Sequence, residues 1–301
     1  MTKTIDTLVE DIYALFNNDF KSDELRASAF GKRLAETIHC RINEQRIPKY
    51  GVESLRLSMV GTECKRKVWY LGNRPDRAEA LSNSTKIKFL FGDILEELLL
   101  FLAEEAGHSV EGRQTPITIN GVTGHRDAII DGRLVDVKSA STLSFKKFEA
   151  NDLRGKDSFG YLDQLGSYHY GSRGEELLKD KDVASFLVID KTLGNICLDT
   201  YPVPDIDYNK KIEELKEVVT QKEPPRQHYM PVPEGKSGNM KLGTECSYCA
   251  FKHECWPELR TFLYAAKPIF LTKVVKEPRV PEVDKDGNLI EKELIDKDTE
   301  E

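Results

Sequence analysis

What the chain lacks narrows it first. No stretch approaches the roughly 20 consecutive apolar residues of a membrane-spanning helix, so no membrane partner is expected. The opening MTKTIDTLVEDIYALF has no basic segment leading into an apolar one, so no secretory leader is expected either. Cysteine is sparse: six in 301 residues, without the pattern of a small disulfide scaffold, which points to a reducing, cytoplasmic setting. No G-x-x-x-x-G-K-[ST] phosphate loop occurs, so ATP-driven work would belong to a partner. Internal repeats and low-complexity tracts are absent too. A chain of this length can bury a sizeable core without crosslinks.

Excess positive charge is also missing. The net charge is -7, which by itself argues against a phosphate-rich partner. Residues 271 to 301 hold six Lys/Arg and ten Asp/Glu, however, so much of the excess sits at the C-terminal end. Basic runs remain at Lys65-Arg66-Lys67 and Lys146-Lys147.

Helical periodicity predicts two helices within 5 to 45 and a third from Lys86 to Ala106, ended by Gly107. From Gln114 to Ala140 the pattern changes to short apolar bursts broken by Asn120-Gly121 and Asp131-Gly132, the residues of tight hairpins. A three-stranded antiparallel meander is expected there. A helix near 159 to 171, strands near 184 to 190 and 196 to 201, and a helix from about 206 to 221 complete an α/β pattern. The expected organisation is a helical segment over 1–50, a core over 51–230, a linker and cysteine segment over 231–267, and an acidic, weakly ordered tail over 268–301.

Two sets of residues carry chemistry. Cys64 stands alone, and CSYCAFKHEC supplies Cys246, Cys249 and Cys255 far downstream. Four thiolates suit an iron–sulfur cluster, and three with His253 suit zinc, so spacing leaves both open. Cys40 and Cys197 read as structural thiols. The second set lies on the third meander strand, Leu134-Val135-Asp136-Val137-Lys138, where strand period turns Asp136 and Lys138 to one face. Asp127 should approach them across the Asp131-Gly132 turn. Adjacent carboxylates repel unless a cation neutralises them. Mg²⁺ or Mn²⁺ on Asp127, Asp136 and the Val137 carbonyl, with Glu96 as a third carboxylate, would resolve that conflict and activate water, with Lys138 orienting it. Gln164 and Tyr168, at i and i+4, share a helix face that would contact phosphate or support Lys138. Trp69, Tyr70 and Trp256 flank the cysteines and are candidates for base stacking.

Together Gly92-x-x-x-Glu96, Gly124-His125-Arg126-Asp127, Asp136-Val137-Lys138 and Gln164-x-x-x-Tyr168 resemble, in order, the motifs of the RecB-like PD-(D/E)XK nucleases. With the four-cysteine bracket, the chain looks most like the iron–sulfur members, the CRISPR-associated and AddB-type exonucleases, over roughly residues 55 to 260. The resemblance implies a restriction-endonuclease-like core, a central mixed sheet flanked by helices with a cysteine-ligated [4Fe–4S] flank. It implies a Mg²⁺- or Mn²⁺-dependent exonuclease acting on DNA single strands or duplex ends in recombination, repair or replication. A helicase or recombination partner, in a bacterial or phage-infected cell, goes with it. Two departures stand out: Glu96 occupies a position where such members usually carry His, with Glu97 beside it as a competitor, and the triplet begins with Asp136 rather than Glu. A catalytically idle DNA-binding accessory subunit and a zinc-stabilised interaction module are the alternatives.

Overall fold

The computed structural model of the chain describes residues 3–17, 20–45, 47–265 and 267–290. Helices α1 (Leu8–Ala14), α2 (Glu24–Asn43), α3 (Lys65–Asn73) and α4 (Asn83–Glu105) come first. Strands β1 (Val110–Glu111), β2 (Pro116–Ile119), β3 (Val122–His125), β4 (Ala128–Ile130) and β5 (Arg133–Ala140) follow. Helices α5 (Thr142–Glu149) and α6 (Tyr161–Ser172) lead to β6 (Val183–Asp190), β7 (Ile196–Pro202) and α7 (Tyr208–Thr220). The rest comprises β8 (Val232–Pro233), β9 (Met240–Lys241), α8 (Thr244–Ser247), α9 (Lys252–Cys255), β10 (Arg260–Leu263), β11 (Pro268–Lys273) and β12 (Glu282–Val283).

The main sheet runs β1-β4-β5-β6-β7. It is mixed: β5 and β6 are parallel and the other pairs antiparallel. A parallel pair needs a crossover, which α5 and α6 supply. One face of the sheet packs Leu134, Phe186 and Val188 against residues of α5, α6 and α7. The other packs Val135, Val137 and Leu187 against α1 and α4. The protein is therefore α/β, with helices on both faces of a mixed sheet. Among the described residues no helix is long and apolar enough to cross a membrane.

Local signals account for most boundaries. Asp23 caps α2 by accepting the Leu25 and Arg26 N–H groups at 2.9 and 3.0 Å, and Ser82, Ser141 and Asp207 cap α4, α5 and α7 in the same way. Both two-residue turns have positive φ at each position, 45° and 73° at Asn120-Gly121 and 49° and 88° at Asp131-Gly132, as a tight hairpin requires.

Three expectations need correction. The meander over 114–140 is two units: β2 and β3 form a separate two-stranded sheet, while β4 and β5 join the main one. The chain breaks at Arg126, whose buried guanidinium bonds both Glu175 oxygens at 2.6 and 2.7 Å and Ser172 Oγ at 2.9 Å. A buried charge must spend its donors, and that demand turns the backbone between β3 and β4. Helices α3 and α5, which no periodicity announced, flank the cysteine and acid segments. Finally, part of the expected tail is ordered: β11 and β12 belong to a second sheet, β12-β10-β11-β9-β8, closed around buried Phe262, Leu271 and Val283. Strands β8 and β9 of that sheet come from the expected linker. Residues 291–301 lie outside the described residues.

Candidate active site

Four elements bring the acid cluster together. On β5, Asp136 and Lys138 share the face of Leu134, as strand alternation requires, while Val135 and Val137 point into the opposite core. Residue 128 pairs with 135, which sets Asp127 at the strand end beside Asp136, and Asp127 Oδ2 accepts the Val137 N–H at 2.7 Å. On α4, Gly92 lies against β5, where an added Cβ would sit 3.8 Å from Ser139 Oγ. One turn later Glu96 meets the cluster through Gln114, whose Nε2 donates to Glu96 Oε1 at 2.6 Å and approaches Asp127 Oδ1 at 3.4 Å. Gln114 holds a left-handed backbone, φ 47°, uncommon for a residue other than glycine.

Asp136 is 1% exposed, and among the described residues neither of its carboxylate oxygens accepts an aligned hydrogen bond. Its Oδ2 is in ion-pair contact with the Lys138 ammonium. Burial drives the Asp127 pKa well above the carboxylate range, and Asp136 and Glu96 push it further. Burial likewise lifts Glu96 to about 7, opposed by its hydrogen bond from Gln114 and reinforced by Asp136, Glu97 and Asp93. Burial opposes charge on Lys138 too, but Asp136 and Asp127 outweigh it and hold the ammonium protonated above its usual range. Three carboxyl groups thus crowd a site with one neighbouring cation. Such an arrangement favours binding positive charge.

Gln164 and Tyr168 meet as their spacing predicts, Gln164 Nε2 donating to Tyr168 Oη at 3.2 Å. Tyr168 is buried, and burial together with Asp136 raises its phenol to about 12. Gly124 explains itself here: a Cβ would lie 2.8 Å from both Tyr168 Cε1 and Leu57 Cβ, so the ring fills the space a side chain would need. Two further residues adjoin the cluster. Gln114 bridges two of the carboxylates, and the Tyr161 ring lies 5.1 Å from Lys138 Nζ, close enough for a cation–π contact. No short-range pattern marks either one.

A cleft of about 730 Å³ opens beside Glu96, lined by α2, α4, Gln114 and exposed His125. Glu97 pairs with Arg33 at 3.3 Å and Arg113 at 3.4 Å, while its charge still bears on Glu96.

Cys64 occupies the position before α3, and Cys246, Cys249 and Cys255 lie in and beside α8 and α9. Burial raises the Cys246 thiol to about 12, and the nearness of Cys249, Cys64 and Cys255 adds to it. Burial raises Cys249 as well. All are free thiols. His253 Nδ1 meets Glu79 Oε1 at 2.6 Å, which commits that nitrogen away from the cysteines. Trp69 and Tyr70 are buried, Trp69 donating to the Gln221 carbonyl at 2.8 Å and Tyr70 stacked on Phe251 at 5.4 Å, so neither presents a free face. Among the described residues, no three His, Cys, Asp or Glu side chains form a ready-made metal-binding group.

No protein-family model matches the chain, and no curated protein does. Among solved structures, SSO0001 is 15% identical over 75% of this chain and 96% of its own, with a TM-score of 0.40. A likeness so faint assigns neither fold family nor function.

Proposed function

We propose that this protein is a Mg²⁺- or Mn²⁺-dependent deoxyribonuclease with a restriction-endonuclease-like core, acting as an exonuclease on single strands or DNA ends in recombination, repair or replication. The observation that carries the reading is the convergence of half-buried Glu96 and Asp127 with buried Asp136 beside Lys138, Asp136 having no aligned donor among the described residues. The donor set is all oxygen and suits a hard divalent ion, which Glu96, Asp127, Asp136 and the Val137 carbonyl would hold. When bound, that ion supplies charge neutralisation at the phosphodiester and lowers the pKa of water.

The residues themselves do the rest. Lys138, kept protonated by Asp136 and Asp127, is poised to orient the attacking water and to offset charge developing on phosphate. The Tyr161 face and the Asp136 carboxylate fix where that ammonium can go. Tyr168, whose phenol stays protonated, holds Gln164 at the edge of the cluster.

The cysteine flank is read as a structural [4Fe–4S] site on Cys64, Cys246, Cys249 and Cys255. The engagement of His253 with Glu79 supports an all-thiolate donor set over three cysteines and a histidine. Zinc on the same four thiolates is the alternative cofactor. A helicase or recombination partner in a bacterial or phage-infected cell belongs to the same reading.

The test uses end-labelled oligonucleotides of both polarities, single-stranded and duplex, with Mg²⁺ or Mn²⁺ and with chelator. Progressive shortening that chelator stops is the expected result. Intact substrate under all conditions would favour an idle DNA-binding accessory subunit, or, if the protein also binds no DNA, an interaction module.

A further inference from the structure

Gln114 holds a left-handed backbone, φ 47°, which asparagine and aspartate adopt readily and glutamine does not. The other described residues of this kind, glycine aside, are Asn120, Asp131 and Asn151, all of the favoured types. Such strain persists only where the surroundings impose it, and it gathers at functional sites. Here the surroundings do impose it. The Gln114 N–H donates to the Asp127 carbonyl at 3.1 Å, and the Arg126 N–H donates to the Thr115 carbonyl at 3.2 Å. Thr115 Oγ1 and Arg126 Nε both donate to the Gly112 carbonyl, at 2.9 and 3.2 Å. Buried Arg126 thereby pins the loop on both sides of Gln114.

What the strain aims is an amide. Gln114 Nε2 donates to Glu96 Oε1 at 2.6 Å and reaches Asp127 Oδ1 at 3.4 Å, joining α4 to the stretch between β3 and β4. The Val137 N–H already occupies Asp127 Oδ2 at 2.7 Å, and Lys138 pairs with Asp136. The three carboxyl groups are thus oriented from two sides, by a cation at Asp136 and by a neutral group at the other two. A donor without charge orients a carboxylate and leaves its negative charge for a metal, whereas lysine or arginine there would itself be the counter-ion. The adjacent cation is held elsewhere: Arg113 pairs with Glu97 at 3.4 Å and Glu104 at 2.8 Å.

We infer that Gln114 is a positioning residue of the metal centre, its neutral amide holding Glu96 and Asp127 so that one divalent ion can engage both. This rests on the proposed hard-ion site, and Gln114 lies outside the motifs that suggested that site. A donor bonded to ligating carboxylates typically contributes about 10- to 100-fold to metal affinity. The backbone strain at Gln114 is then the cost of aiming the amide.

Calorimetric titration of the full chain with Mn²⁺, in the absence of DNA, reads this role apart from hydrolysis, and melting temperatures in EDTA accompany it. Gln114→Ala should bind Mn²⁺ about 10- to 100-fold more weakly than wild type. Gln114→Gly should bind as weakly as the alanine variant yet melt above it, because glycine relieves the left-handed strain that alanine keeps. Gln114→Lys should lose Mn²⁺ binding and melt above wild type in EDTA, since its ammonium neutralises the carboxylates that the ion would otherwise neutralise. Alanine or glycine variants that hold Mn²⁺ as tightly as wild type overturn the role of Gln114 and leave the metal centre standing. Wild type that takes up no Mn²⁺ overturns both. Mn²⁺ binding that depends on Gln114, in a protein that leaves DNA intact, supports the role and removes the nuclease reading.

Discussion

At Lys138 the two neighbouring carboxylates fix both the charge and the position of the ammonium, and loss of that group is the sharpest probe of the cluster. On the proposed nuclease reading, Lys138→Ala should lower the rate of DNA hydrolysis on the order of 10²–10³-fold, the usual effect of removing one preorganised donor. The circular dichroism spectrum should not change; unaltered turnover would remove Lys138 from the chemistry. Glu96 gives a second prediction, through pH. Its pKa rises from 4.5 to about 7, so between those values the folded protein holds a proton that the unfolded chain has lost. Stability from this group therefore falls as pH rises through that window, and the cost is complete above it. In the absence of divalent cation, Glu96→Gln should melt at a higher temperature than wild type at about pH 8, and the advantage should shrink by about pH 5. Added Mg²⁺ should raise the wild-type melting temperature more at the higher pH, because at the lower pH it competes with the proton. A variant advantage that grows toward acid would show that the Glu96 carboxyl is not held neutral by burial.

Helices and hairpins show where a single sequence is readable and where it is not. The Asn-Gly and Asp-Gly turns, the long apolar stripe of α4 and the alternation that aims Asp136 and Lys138 are local, and the chain states them directly. Helices α3 and α5 are nine and eight residues long, too short for their periodicity to stand out in the sequence. The break between β3 and β4 follows from Arg126 reaching Glu175, and Gln114 meets Glu96 only in three dimensions. The start of α6 belongs to the same class. Gly160 sits there with φ 73°, and a Cβ on it would lie 2.4 Å from the Gly61 carbonyl oxygen, which is backbone and cannot yield. Gly160→Ala should therefore cost at least the roughly 1–3 kcal/mol of an overpacked site, with strain from the left-handed backbone in addition. Because α6 carries Tyr161, Gln164 and Tyr168, activity should fall along with the melting temperature. A variant that melts like wild type would mean the two segments can separate without disturbing the core.

Across the whole molecule two half-buried clusters face the same electrostatic problem. Glu96, Asp127 and Asp136 crowd negative charge at one, and the thiols of Cys64, Cys246, Cys249 and Cys255 would do so at the other once ionised. On the proposed reading a cation would relieve that crowding at each of them. The cysteine site has the larger mechanical consequence. Cys64 precedes the sheet and the other three follow it, so a shared ion or cluster closes a loop through nearly the entire core. Closing so long a loop removes much freedom from the unfolded chain. If the proposed iron–sulfur cluster is present, protein purified without oxygen should be brown, contain iron and sulfide, and melt well above the same protein after chelation and oxidation. Cys64→Ser should lose both the colour and the added stability, whereas Cys40→Ser, on exposed α2, should keep them. Colourless protein holding one zinc would assign the thiolates to that ion instead. Metal-free protein that melts no lower than the loaded form would leave the four cysteines without a role in joining the two ends of the core.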